Sequence, residues 1–363
     1  MEAFLILEDG TVFRGRGIGA SHEVISEITF NTSMTGYVEI LTDPSYAGQS
    51  IVMTYPLIGN YGINHQDKES EKIWADALIV REISRISSNF RSEDTLEHFL
   101  EENHIPGIVH VDTRALTKHL RRKGTMNGMI TRTSYSNLSP ILSKIQQNQI
   151  QDVVEKTTVK QKTVQKGQGF RVALLDLGAK QNIAASLQNL GCEVWTYPAF
   201  TTAAEILADK PDGMMLSNGP GDPKECISII KELKSIYDSG IPVFAICLGH
   251  QLMALAMGAD TYKLKYGHRG GNHPVKDLQT NKITMSSQNH GYVVNADKLA
   301  KEIALPAFEH VNDRTNEGLL YQKRPIFSVQ FHPEANPGPR DLAYLFERFM
   351  HQMEVYHAEK KRD

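Results

Sequence analysis

Ile241-Pro-Val-Phe-Ala-Ile-Cys-Leu-Gly-His-Gln-Leu-Met-Ala-Leu-Ala-Met-Gly258 decides the reading of the chain. Pro242 to Ile246 is a short apolar run of strand character. Gln251, Leu252, Leu255 and Ala256 then recur at helical spacing, directly after Gly249. Cys247 therefore falls on the turn where a buried strand becomes a helix, the layout of a nucleophile elbow. Backbone N–H groups and the helix dipole at that point favour a thiolate and can hold a developing oxyanion. A buried cysteine with only a packing role is the plain alternative. Ala245 and Gly249, small residues flanking the turn, favour the elbow.

Working outward, the second half alternates strand and helix. Arg171 to Asp176, Gly191 to Tyr197, Gly213 to Ser217, Pro242 to Ile246 and Ile326 to Gln330 read as strands. Asn182 to Leu190, Ala203 to Ala208 and Ile227 to Ser239 read as helices. This rhythm predicts a doubly wound, mostly parallel sheet with helices on both faces. Ligands in such sheets bind beyond the carboxyl ends of the strands. Three candidates collect there: the loop Asn218-Gly-Pro-Gly-Asp-Pro223, the elbow, and His332-Pro-Glu334 after the last strand.

A cysteine nucleophile needs a base, and the base needs an orienting group. His332 and Glu334 supply both. His250 and His290 are competing bases. His250 belongs to the elbow helix and His290 has no carboxylate beside it in sequence, so both rank below His332. The two glycines around Pro220 allow backbone close to a ligand, and the loop reads as a second source of oxyanion N–H groups. Gln288-Asn-His-Gly-Tyr292 reads as a turn between polar segments, suited to the α-ammonium and α-carboxylate of an amino acid.

The first half is mixed and strand-rich. Phe4 to Phe13 reads as a hairpin turning at Asp9-Gly10. Val24 to Phe30, Gln49 to Thr54, Ala75 to Ile83 and Ile105 to Val111 are further strands, and Asp112 caps a helix running to Arg121. Gly15-x-Gly-x-Gly19 is not a dinucleotide loop, because no helix and no placed acidic partner follow it. Gly59 to Asn64 is a polar, glycine-containing loop of the kind that makes contacts. From Gln147 to Gly169 the composition shifts to Gln, Lys, Thr, Val and Gly. The expected organisation is a domain over 1–150, a linker over 151–169 and a second domain over 170–355.

The bulk properties exclude several classes. A chain of 363 residues, 40% hydrophobic and 22% charged, fits two folded domains. A net charge of -3 gives no reason to expect nucleic-acid binding, and Lys118 to Lys123 reads as a solvated helix end. No apolar run reaches the ~18 residues of a membrane span, and no signal peptide is visible. The three cysteines, Cys192, Cys226 and Cys247, are widely spaced and form neither a disulfide framework nor a C-x-x-C pair. No metal site and a cytoplasmic location are the expectations.

Cys247-Leu-Gly-His-Gln251, Asn218 to Pro223 and His332-Pro-Glu334 together resemble the class I (triad) glutamine amidotransferases. Asp43-Pro-Ser-Tyr46, Tyr55 to Gly62, Asp112-Thr-Arg114 and Leu175 to Lys180 narrow the resemblance to the carbamoyl-phosphate synthetase small-subunit family, over essentially the whole chain. One departure is Ala245, where that family usually has glycine; a methyl group fits if the backbone there is not at positive φ. The resemblance implies a glutaminase with Cys247 as nucleophile, His332 as base and Glu334 holding the imidazole. It implies L-glutamine held by Ser45, Gly219, Gly221, Leu248, Gln251, Asn289, Gly291 and Tyr292, with the oxyanion on the N–H groups of Leu248 and Gly221. It also implies a large synthetase subunit as partner, which takes the ammonia with bicarbonate and ATP. No G-x-x-x-x-G-K-[ST] loop is present here, so ATP and Mg are expected on the partner and no cofactor on this chain. Amidotransferase subunits of anthranilate, guanylate or cytidylate synthesis lack the Asp43 to Gly62 stretch. A silent, purely regulatory domain is the remaining alternative, and the intact Cys247, His332 and Glu334 speak against it.

Overall fold

The computed structural model describes residues 1–360 and divides into two compact units, Met1–Gln151 and a second beginning at Asp152. The first unit is a closed seven-stranded barrel. Its strands run around it in the order Glu2–Leu7, Val12–Gly19, Pro106–Val109, Ala77–Ile79, Gln49–Met53, Val24–Asn31 and Met126–Thr131. The hairpin at Asp9-Gly10 forms as expected, pairing Ile6 with Val12. Asp112 Oδ1 accepts from Ala115 N and caps the helix Thr113–Lys123. The helix Leu96–Glu102 buries Leu96, Phe99 and Leu100 beside Ile18, Leu78 and Val109.

The second unit is built on a ten-stranded sheet. Its centre is parallel, in the order Glu193–Pro198, Arg171–Asp176, Gly213–Leu216, Val243–Ile246 and Ile326–Val329. The near-continuous apolar runs of these strands are what burial on both faces demands. Side chains alternate between two cores. Ala173, Leu175, Met214, Leu216, Val243 and Ala245 face one, closed by Ile206, Ile229, Leu233 and Leu252. Val172, Leu174, Met215, Phe244 and Ile246 face the other, closed by Ile183, Leu187, Phe349 and Met353.

Two features differ from the sequence reading. The sheet continues past Ile326–Val329 through antiparallel strands Asn316–Tyr321, Ala304–His310, Asp260–Asp277 and Ile283–Asn295. Gln288 to Tyr292 accordingly lies inside the strand Ile283–Asn295 and not in a turn. The stretch 151–169 is also structured. It holds the helix Val153–Thr157, which buries Val153 and Val154, and the strand Thr163–Gln165, which pairs with Glu193–Pro198 at the sheet edge. Short elements joined by Lys and Gln carry too little periodicity to stand out. Among the described residues no helix is long and apolar enough to cross a membrane.

Candidate active site

The elbow is strained where the sequence places the nucleophile. Cys247 has φ 52 and ψ -103, outside the regions open to an L-residue without strain. Its neighbours hold it there. Cys247 N donates to Val329 O at 2.8 Å, Gly249 N to Ser217 O at 3.0 Å, and Gln251 N to Cys247 O at 3.2 Å. Gly249 is required by the close crossing of the next strand: a Cβ there would lie 2.6 Å from Leu216 Cβ and 2.7 Å from Leu216 O. Ala245 is not at positive φ, so its methyl group sits in the core without strain. The helix Leu248–Ala256 begins directly beneath the sulfur.

The strand Ile326–Val329 and the segment after it deliver three side chains at period two. Ser328 Oγ meets His250 Nδ1 at 2.8 Å, which fixes His250 inside the protein as a structural residue. Burial pushes His250 down to about 3, so it stays neutral. Gln330 Nε2 donates to Cys247 Sγ at 3.6 Å, and Gln330 Oε1 accepts from Gln251 Nε2 at 3.0 Å. His332 comes next, anchored by its N–H to Ser287 O at 2.9 Å.

His332 Nδ1 lies 2.6 Å from Glu334 Oε1, with both side chains almost wholly buried. Burial alone lowers the imidazole pKa. The Glu334 carboxylate and the adjacent Cys247 sulfur outweigh it, and the net shift is upward. With Nδ1 on Glu334, the other nitrogen, Nε2, is left for the Cys247 sulfur, which acts on His332 both as a hydrogen-bond partner and electrostatically. Glu334 moves the other way. Burial raises it, but Lys180 and His332 bring it down to about 2.

Lys180 went unnoticed as a site residue in the sequence. Its Nζ stands 3.1 Å from Glu334 Oε1 and also donates to Ala335 O. The loop carrying it is wound around Asp176, whose carboxylate accepts from Val159 N, Gly178 N and Ala179 N. Lys180 N donates to Asn218 Oδ1 at 3.0 Å, which joins this loop to Asn218 to Pro223. Gln330 was missed as well, although its place two residues before His332 puts it on the same strand face.

The remaining expected substrate contacts distribute as follows. Leu248 opens the elbow helix, and its Cδ2 would stand 2.8 Å from a Cβ at Gly219. Gly219 also runs against Leu177 O, at 2.2 Å from such a Cβ, so only glycine fits there. Gly221 has φ 91. Asn289 O accepts from Cys247 Sγ at 3.7 Å, and Tyr292 O from Gln251 Nε2 at 2.8 Å. Gly291 lies between them on the same strand. These residues all belong to the second unit. Ser45 belongs to the first, buried on the short turn Pro44–Tyr46 with its N–H on Asp43 Oδ1. His290 does not compete as base: it is buried between Gln288 Oε1 and Tyr292 O.

Residues 5–130 match the family described as carbamoyl-phosphate synthase small chain, CPSase domain, and residues 173–352 match glutamine amidotransferase class-I. The carbamoyl phosphate synthase small chain of Fusobacterium nucleatum is 48% identical, covering 95% of this chain and 96% of that protein. The protein of the same name from Clostridium perfringens is 48% identical, covering 96% and 99%. The pyrimidine-specific small chain of Lactiplantibacillus plantarum is 44% identical, covering 99% and 98%. With a class I glutamine amidotransferase domain behind a small-chain barrel, the chain belongs to the carbamoyl-phosphate synthase small-chain family.

Proposed function

We propose that the chain hydrolyses L-glutamine through a thioester on Cys247 and passes the ammonia to a large synthetase subunit. The observation that carries this reading is the buried His332–Glu334 pair at 2.6 Å beside a cysteine held on a strained elbow. Cys247 sulfur attacks the carboxamide carbon, and His332 takes the thiol proton. The resulting oxyanion rests on the N–H groups of Leu248 and Gly221. Collapse expels ammonia, protonated by His332, and leaves a γ-glutamyl thioester. Water, deprotonated by His332, then releases glutamate and restores the thiol.

Glu334 keeps the imidazole in the tautomer that presents Nε2 to the sulfur. Asn289, Gly291 and Tyr292 bind the amino-acid end of glutamine, Gly219 and Gln251 shape the pocket, and Ser45 is a further expected glutamine contact. ATP and Mg act on the partner, which joins ammonia to bicarbonate to make carbamoyl phosphate. A cytoplasmic setting is part of the reading, since all three cysteines are free thiols.

The test is a co-assay. The chain alone should hydrolyse glutamine slowly, and adding a carbamoyl-phosphate synthetase large subunit should give glutamine-dependent carbamoyl phosphate. A large subunit active on free ammonia that gains no use of glutamine from this chain would refute the partner assignment.

A further inference from the structure

Behind the strand that carries Asn289 and Tyr292 lies a second cluster of chemistry-bearing side chains, which the glutaminase reading leaves unused. His268, His290, Gln288 and Glu317 come from three different strands and are all buried. Each is oriented by a partner on its far side. His268 Nε2 meets Asp313 Oδ2 at 2.7 Å. His290 Nδ1 donates to Tyr292 O at 2.9 Å. Gln288 Nε2 donates to Glu317 Oε2 at 2.8 Å and to Ser286 Oγ at 3.2 Å.

These outer contacts fix what is left facing inward. His268 Nδ1 and Glu317 Oε1 face each other at 3.6 Å, an ion pair that, with Asp313 on the other ring nitrogen, favours the charged form of His268. His290 Nε2 is 3.9 Å from Glu317 Oε1 and 2.8 Å from Gln288 Oε1. Rotating the Gln288 amide would only set its oxygen against Glu317. With Nδ1 carrying the proton that Tyr292 O accepts, a neutral His290 brings a lone pair against an amide oxygen. Four potential ligand atoms thus converge, and without a metal the proton on His268 Nδ1 is the one charge offered to Glu317. A divalent cation that displaces this proton would face all four atoms at once, including the His290 and Gln288 pair that neutral groups leave poorly matched.

We propose that His268 Nδ1, His290 Nε2 and Glu317 Oε1 hold a structural divalent transition metal of the zinc class, with Gln288 Oε1 as a fourth ligand. The three titratable ligand atoms lie within 4.8 Å of one another. Bonds of about 2.0–2.2 Å set ligand atoms roughly 3.0–3.6 Å apart, so the pairs at 3.6 and 3.9 Å are near that spacing and the widest closes by up to about an ångström on loading. The outer partners are those of a protein metal site, a carboxylate on one imidazole and a carbonyl on the other. Two imidazoles select a zinc-like ion over magnesium or calcium. The ligands sit at positions 268, 290 and 317, without short spacing, so the sequence alone suggests no metal here. Bound there, the ion pins the strand whose Asn289 and Tyr292 carbonyls reach Cys247 and Gln251. The assignment is independent of the glutaminase reading.

Two neighbouring groupings are weaker. His268, His273 and His310 are close, but the His268 and His310 rings stack at 4.2 Å and 16°, so their lone pairs run parallel. His98 and Glu102 are exposed on the helix Leu96–Glu102, with Asp94 half-buried just before it, and this grouping serves as a control.

The test is metal binding by the full-length chain after chelator treatment and dialysis. Titration with Co2+ should give one tight equivalent with a visible spectrum of nitrogen and oxygen ligands and no thiolate charge-transfer band. Glu317→Gln and His268→Gln should each weaken that binding at least tenfold, and His98→Ala should leave it unchanged. The wild type provides a check that needs no variant: chelation should lower its melting temperature, and Zn2+ should restore it. A wild type that binds no metal at micromolar concentration, or binding that survives Glu317→Gln and His268→Gln, would overturn the assignment and leave a proton-bridged network.

Discussion

Lys180 Nζ lies 3.1 Å from Glu334 Oε1, and both side chains are shut away from water. The triad therefore has a cation at its back. Glu334 is held ionised by that ammonium as well as by His332. Removing one partner of a buried pair leaves an uncompensated charge, which costs about 3–5 kcal/mol. Lys180→Met should lose stability on this scale in urea denaturation and should slow glutaminase turnover as Glu334 becomes easier to protonate. The pH dependence follows the same sign. A carboxylate whose folded pKa is depressed stabilises above its unfolded value, near 4.5, and loses that contribution as pH falls toward about 2. Lys180→Met should show a shallower stability loss across that window than the wild type; an equal slope would remove Lys180 from the account.

His250 titrates in the opposite sense to His332. Its folded pKa, about 3, lies below the ordinary 6.5. The unfolded chain therefore binds the proton first, and stability falls as pH drops below 6.5. One pKa unit is about 1.4 kcal/mol, so at pH 5 this one group removes about 2 kcal/mol relative to neutral pH. His250→Asn should flatten the change in urea midpoint between pH 7.5 and pH 5 by about that amount. Unchanged pH dependence in the variant would show that His250 is not buried neutral.

The elbow stores strain that another residue can release. A non-glycine residue in such a conformation costs about 1–3 kcal/mol. Cys247→Gly and Cys247→Ala both remove the sulfur, and they differ in backbone freedom. The glycine variant should be the more stable by at least about 1 kcal/mol in chemical denaturation, since the N-cap position of Cys247 and its positive φ both favour glycine over alanine. An alanine variant at least as stable as glycine would mean that the positive φ carries no strain.

Gly249 is fixed by space, not by conformation. With Leu216 Cβ 2.6 Å and Leu216 O 2.7 Å from where its Cβ would lie, the elbow helix cannot accept a methyl group without moving. Gly249→Ala should cost about 1–3 kcal/mol and lower glutaminase kcat, because the shift displaces Cys247. A fully active and stable Gly249→Ala would contradict this packing.

Much of this was legible in the sequence because it is local. The apolar runs around Arg171, Gly213, Val243 and Ile326 are long enough to be strands, and the elbow and His332-Pro-Glu334 sit at their ends. The helices Ala203–Ala208 and Ile227–Ser239 have the bounds that their periodicity predicts. Gln288 to Tyr292 escaped as a strand because Gln, Asn and Gly are poor strand formers whose pairing is decided by tertiary context. The contacts of Lys180, Gln330, His268 and Glu317 escaped the sequence for a different reason. Each residue meets its partner across the sheet, and no spacing in the chain announces a contact between positions 180 and 334 or between 268 and 317.

The central claim is that Cys247 is the nucleophile, and glutamine hydrolysis by Cys247→Ser set beside the wild type tests it most directly. The account predicts a rate at least about 10³-fold lower in the variant, together with a γ-glutamyl adduct on the Cys247 peptide of wild-type enzyme quenched during turnover. Wild-type glutaminase activity in Cys247→Ser, or turnover with no adduct on that peptide, would contradict it.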